Sequence, residues 1–378
     1  MGLSTIIIIA IIKVVVVIGA VVTLAALLTW ADRRQSSMLQ DRVGPCRANI
    51  GPFKFWGLLH PVADGLKMAF KEDFIPPRAD RLLHSLAPYL SMFPPLLVFS
   101  LIPFGDDLRL DLLKQVIPSS GEIISRAAVP LQVARLDQGI LFIIALSSTG
   151  ILGSVLAGWV SDNRFGLIGA QRAINHLLSY EVALGLTLIS PLIVYGSLDL
   201  YEAVKWQSAH LWGIFVQPIA FILYFAAATA ETKRIPFDLP EGESEIVAGY
   251  FIEHGSFKFG MFFFSEYIEV VILSGIVVTL FLGGWDLPFL QRSGFVVNIP
   301  ALGIYWIQNL QHWAVCAIGV AVFAVKLIFV AWFSLMIRWT LPRFRYDQLM
   351  DLCWRYIVPL AGANMIITGI VMMLIRYH

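Results

Sequence analysis

Between residues 231 and 253 the chain reads ETKRIPFDLPEGESEIVAGYFIE, which sets Glu231, Asp238, Glu241, Glu243, Glu245 and Glu253 beside only Lys233 and Arg234. Two cations cannot pair that many carboxylates. Crowded acids of this kind take up and release protons more readily than isolated ones. Pro236 and Pro240 prevent a regular helix across the segment. Long apolar runs flank it on both sides, and those runs themselves contain Glu181, Glu266, Glu269 and Lys326. A charge at the centre of a membrane helix costs about 2.5–3.5 kcal/mol, so its default reading is an ion or substrate pathway. The expected chemistry is proton transfer along carboxylates, with Glu231 at the mouth, Glu266 and Glu181 deeper, and Lys326 as counter-ion. A static Glu–Lys pair that fixes helix packing is the alternative, strongest for Glu269 or Lys13 taken alone.

The elements that position these groups must be membrane helices. Hydrophobic residues make up 58% of the 378 and charged residues 14%, against an apolar share of roughly 45–50% in soluble domains. Apolar stretches at 4–30, 84–104, 139–161, 172–198, 210–230, 257–283, 311–340 and 353–375 are each near the roughly 20 residues that cross a bilayer. An all-α integral membrane protein of about eight transmembrane helices is therefore expected, as one polytopic domain over 1–378. Its two long loops lie at 31–83 and 231–256. Barrel strands would be about ten residues of strict alternation, which the chain lacks. The run from Leu3 to Trp30 exceeds the roughly 7–15 residues of a signal peptide's apolar region and has no basic flank before it, so a permanent first span is expected. With helices entering near Arg172 and Phe257, Glu181 and Glu266 lie about 14 Å deep, close to the centre of a core about 30 Å thick.

Lysine and arginine placement orients the chain. Arg33, Arg34, Arg42, Arg47, Lys67, Lys71, Lys233, Arg234, Arg338, Arg343 and Arg345 fall on one side, and far fewer cations fall on the other. That side is read as cytoplasmic, which places both termini outside. FKFWGLLHPVADGLKMAFKEDF within the first loop mixes aromatics with Lys54, Lys67 and Lys71, the pattern of an amphipathic helix at the headgroups, with Pro61 and Gly65 expected to break it in two. The net charge of +1 offers no field for nucleic acid. Cys46, Cys316 and Cys353 are isolated and no histidines share ligand spacing, so no metal site is expected in this chain.

Four blocks carry a resemblance: QDRVGPCRANIGPFKFWGLLHPVADGLKMAFKE, GAQRAINHLLSYEVALGL, ETKRIPFDLPEGESEIVAGYFIEHGSFKFGMFFFSEY and PRFRYDQLMDLCWRYIVPL. In that order they resemble the H-type membrane subunits of bacterial NADH-quinone oxidoreductases, the family that lies beneath the quinone site of respiratory complex I. The likeness runs from about Asp32 to Pro359. It implies a quinone channel lined or supported by Asp32, Arg33, Arg42, Asp64, Arg172, Arg234, Asp238, Arg343, Arg345 and Asp347. It also implies a proton path through Glu181, Glu231, Glu241, Glu243, Glu245, Glu253 and Glu266, to which the buried charge of Lys326 is added. Cys46, His60, Lys233 and Asp32 depart from the usual Asn, Gln, Asn and Glu, which bears on the fine detail of the quinone entrance.

The resemblance further implies quinone as substrate, with FMN and iron–sulfur clusters on partner subunits. Those partners are the soluble quinone-module subunits and the neighbouring membrane-arm subunits, in a bacterial inner membrane. The chain itself has no GxGxxG and no cysteine cluster. Two alternatives stand beside this reading. One is the membrane subunit of an energy-converting hydrogenase or ferredoxin-linked relative. The other is a proton-coupled secondary transporter, which would show inverted repeats.

Overall fold

The computed structural model describes residues 3–49, 51, 55–109, 128–240, 242–291, 294–299 and 304–377. Among them, seven helices are long and apolar enough to cross a membrane. These are α1 (Leu3–Leu39), α3 (Arg81–Phe99), α4 (Gly139–Val160), α5 (Arg164–Tyr195), α10 (Ser256–Phe281), α11 (His312–Thr340) and a last span running from α12 (Tyr346–Asp351) through a π-helical stretch into α13 (Val358–Tyr377). The protein is mostly helical, as the composition requires.

The eighth expected span, 210–230, is broken in two. A turn, α7 (Gly213–Val216), stops at Gln217, whose φ of −133° and ψ of 61° are not helical; α8 (Pro218–Glu231) then begins with proline in its first turn. Proline suits a first turn, where its missing N–H has no partner to lose, but not a helix interior. Between α5 and α7, α6 (Leu200–Ala209) lies near the end of α10: Gln207 Nε2 donates to the Thr279 carbonyl oxygen at 2.8 Å.

The same rule corrects the reading of the first loop. Pro61 opens the helix rather than breaking it, so α2 (His60–Phe70) is one piece through Gly65. Its Val62, Leu66 and Phe70, spaced four apart on one stripe, are exposed. Lys54 lies outside the described residues. Asn163 caps α5 by accepting from the Phe165 N–H at 3.0 Å, so that helix starts at Arg164, ahead of the expected entry at Arg172. Glu181 consequently sits near the middle of a 32-residue helix.

α10 is the central element, lined on all sides by α1, α3, α6, α8 and α11 and buried along nearly its whole length from Ser265 to Phe281. Loops from distant parts of the chain gather at its N-terminal end. Ser256 Oγ donates to the carbonyl oxygens of Met68 (2.9 Å) and Lys71 (2.7 Å), and Lys258 Nζ pairs with Asp73 at 2.9 Å. The Phe344 N–H donates to the Pro236 carbonyl at 3.1 Å, tying the segment after α11 to the acidic loop. The basic loops therefore share one face. On the opposite face the long segment after α10 forms a three-stranded antiparallel sheet that hydropathy does not foretell: β1 (Leu290–Gln291), β2 (Gly294–Ile299) and β3 (Ile304–Asn309), with Gly294 opposite Asn309 and Ile299 opposite Ile304.

Candidate functional site: a charged ladder between two cavities

Two adjacent loop residues face two carboxylates one helical turn apart. Lys233 Nζ lies 3.6 Å from Glu269, and Arg234 Nε lies 3.7 Å from Glu266. Glu266 and Glu269 share a flank of α10 because residues three apart lie on one side of a helix. All but Glu269, which is partly buried, are at most 6% exposed. Buried ions hold their charge only when paired, and here the expected carboxylates find their cations in the loop.

On one side of this ladder lies a pocket of about 470 Å³ lined by Asp32, Arg42, His60, Tyr267, Arg338 and Trp339, among others. Asp32 is its anchor. Its Oδ2 accepts from Tyr267 OH at 2.9 Å and Arg338 Nη1 at 2.5 Å, and its Oδ1 accepts from Trp339 Nε1 at 2.8 Å. Arg234 joins the pocket to the ladder, with its guanidinium 3.9 Å from Asp32 and its carbon 3.6 Å from the Tyr267 ring centre. These are ion-pair and cation–π distances; no nitrogen of Arg234 is hydrogen-bonded among the described residues.

On the other side lies an interior cavity of about 60 Å³, lined by Ser147, Glu181, Tyr224, Glu231, Lys233 and Glu269 together with apolar side chains. That is room for about two water molecules. Ser148 Oγ donates to Glu181. Glu231 is the last residue of α8, so the break at Gln217 and the start at Pro218 fix where its carboxylate ends up.

Other expected residues fall around this core. Asp238 is bonded to Arg343, and the Phe237 and Phe344 rings stack at 5.6 Å beside them. Burial pushes the Asp238 carboxyl up to about 6, with Arg343 pulling it down and Glu266 adding to the rise. Arg33 pairs with Asp64 at 2.6 Å and Arg172 with Glu245 at 2.5 Å, both partly exposed. Arg42 donates to Ser36 Oγ at 3.3 Å on the pocket wall. Glu243 opens the short α9 (Glu243–Ile246), and Glu241 lies outside the described residues.

One expectation does not hold in its geometry, and three further residues lie away from both cavities. Lys326 does not pair with Glu266 or Glu181. Its ammonium donates to the carbonyl oxygens of Leu282 (2.7 Å), Gly284 (3.1 Å) and Asp286 (2.6 Å), closing the turn after α10. Bare carbonyls at a helix end draw a cation as strongly as a distant carboxylate does. Glu253 stays out of the cavities and accepts from Asn163 Nδ2 at 2.9 Å, next to the stacked rings of His84 and His254. Arg345 and Asp347 form an exposed pair with each other at 3.0 Å.

Sequence reasoning missed Arg338, Trp339 and Tyr267 as parts of the site. Arg338 is legible only as a cation in the last turn of an apolar helix, and nothing in its spacing points to Asp32, far earlier in the chain. Glu269, read alone as a packing residue, is instead a wall of the interior cavity.

Fold and site together define a polytopic helical membrane protein in which a charged surface pocket is joined to a buried acidic cavity. The chain belongs to the NADH dehydrogenase family, whose sequence model matches residues 12–369. It is 42% identical over 352 residues to the first of the NADH-quinone oxidoreductase H subunits of Geobacter metallireducens, with 93% of each chain covered. It is 41% identical over 357 residues to the corresponding H subunit of Thermomicrobium roseum (92% of this chain, 91% of the relative). It is 39% identical over 375 residues to the second of the H subunits of Koribacter versatilis, with 98% of each covered.

Proposed function

We propose that this chain is the membrane subunit of a proton-translocating NADH:quinone oxidoreductase that forms much of the quinone channel. We further propose that it couples quinone reduction to proton movement through its buried carboxylates. The observation that carries this reading is the ladder: Lys233 with Glu269 and Arg234 with Glu266, set between a pocket large enough for a quinone head and an interior acidic cavity.

The two electrons come from partner subunits that carry FMN and iron–sulfur clusters. This chain's residues hold the quinone and handle its protons. A quinone becoming a quinol gains two electrons and two protons, so charge appears and is neutralised near Asp32, Arg234 and Arg338. At the 3.7 Å separation of Arg234 and Glu266, one unit of charge changes the interaction by about 4 kcal/mol at an effective dielectric of 20. That suffices to move a proton between neighbouring carboxylates. Arg234 feels the quinone first, its neighbour Lys233 shifts its hold on Glu269, and the change reaches Glu231 and Glu181. The basic-loop face is the cytoplasmic side of the bacterial inner membrane, where the soluble quinone-module subunits dock, and both termini face outward.

The test is charge-neutral replacement. Glu231→Gln and Glu266→Gln should each cut NADH:quinone turnover at least tenfold, while electron transfer from NADH to a soluble artificial acceptor stays at the wild-type rate. Wild-type quinone turnover in both variants would refute the proposal.

A further inference from the structure

His60 opens α2 and lines the surface pocket, yet the proton path leaves it unused. Its Nδ1 lies 3.0 Å from the carbonyl oxygen of Gly57. A carbonyl oxygen only accepts, so Nδ1 carries a proton, and in the uncharged tautomer that this bond selects Nε2 is the acceptor. Gly57 is fixed in turn. Its φ is +82°, and a Cβ there would stand 1.9 Å from the Pro45 carbonyl oxygen. The neighbouring acceptors are already bonded: Asp32 to Tyr267, Arg338 and Trp339, and Ser36 to Arg42. Among the described residues, nothing donates to His60 Nε2.

The two redox forms of the substrate differ in this one respect. Quinone carbonyls accept hydrogen bonds and cannot donate them, whereas quinol hydroxyls donate. We propose that His60 is a specificity-determining residue whose Nε2 binds the quinol in preference to the quinone. This rests on assigning the pocket to the quinone. Facing the oxidised head, the Nε2 acceptor of that tautomer meets another acceptor and contributes nothing. Facing the reduced head, it accepts from an O–H. Arg42 and Arg338, donors only, act in the opposite sense, so the pocket carries two donors suited to the oxidised head and one acceptor suited to the reduced head.

The experiment uses the purified complex, with a short-tailed ubiquinone analogue and its quinol as probes. The KM for quinone and the inhibition constant for quinol are measured in wild type, His60→Phe, His60→Gln and Arg42→Gln. NADH oxidation by a soluble acceptor serves as the assembly control. His60→Phe should raise the quinol inhibition constant about fivefold, the worth of one neutral hydrogen bond, with the quinone KM unchanged. His60→Gln, whose amide both donates and accepts, should keep the quinol constant and lower the quinone KM. Arg42→Gln should move the quinone KM upward. An unchanged ratio of the two constants in both His60 variants, with Arg42→Gln shifted, overturns the His60 inference and leaves the pocket assignment standing. Wild-type constants in all three variants overturn both.

Discussion

Asp238 offers a test whose sign and size follow from the structure. It lies in the acidic loop outside the spanning helices, 8% exposed and bonded to Arg343. Burial raises its carboxyl from 3.8 to about 6, Arg343 opposing and Glu266 adding to the rise. A carboxyl raised on folding prefers to be protonated in the folded state. Its ionisation therefore costs nothing well below pH 4, costs progressively more as pH rises from about 4 to about 6, and is at full cost above that. The gap amounts to about 3 kcal/mol.

Removing Arg343 withdraws the group that most restrains the rise, leaving only the smaller pull of Arg338. An opposite charge in contact is worth about 4 kcal/mol at an effective dielectric of 20, and the Arg343 side chain is 32% exposed, so about half is retained after screening. Arg343→Gln should therefore match wild type in stability at pH 5 and fall below it by about 2 kcal/mol at pH 8. Asp238→Asn, permanently neutral, should exceed wild type by about 3 kcal/mol above pH 7 and by roughly half as much at pH 5. Heat-induced loss of the assembled, detergent-purified complex at the two pH values reads both variants. A deficit in Arg343→Gln of the same size at pH 5 and pH 8 would refute the electrostatic reasoning and leave only lost packing.

Two further outcomes follow from the geometry. Lys326→Met leaves the carbonyls of Leu282, Gly284 and Asp286 without their donor, at a cost of about 3 kcal/mol or more; the complex should melt at lower temperature while quinone turnover per assembled complex stays at the wild-type value, and a turnover loss without instability would restore Lys326 to the proton path. Gly57→Ala forces a left-handed residue against the Pro45 carbonyl, at about 1–2 kcal/mol for the backbone alone; the quinol inhibition constant should rise with NADH oxidation by a soluble acceptor unchanged, and an unaltered constant would detach the Gly57 turn from the setting of His60.

The spanning helices and the acidic loop were legible because hydrophobic run length and unpaired charge are written directly in the sequence. Pairing was not. Asp32 meets Arg338 and Trp339 from the opposite end of the chain, and no local period encodes that meeting. The expected role of Lys326 failed because side-chain counting ignores the carbonyls at the end of α10, which satisfy an ammonium as well as a carboxylate does. The break at Gln217 was hidden within an apolar run, since hydropathy averages over the proline that starts α8. The early start of α5 turned on one cap, Asn163. Proline in the first loop misled in the other direction, because at a first turn it begins a helix.

The central claim is that quinone chemistry in the pocket changes the protonation of carboxylates around the interior cavity. Infrared difference spectra of the complex, taken as bound quinone is reduced, measure this directly through the C=O stretch of protonated carboxyl groups. The expected result is a carboxyl band that Glu231→Gln or Glu269→Gln removes or shifts and that Arg234→Gln diminishes. A carboxyl region with no change on quinone reduction, or a band identical in all three variants, would contradict it.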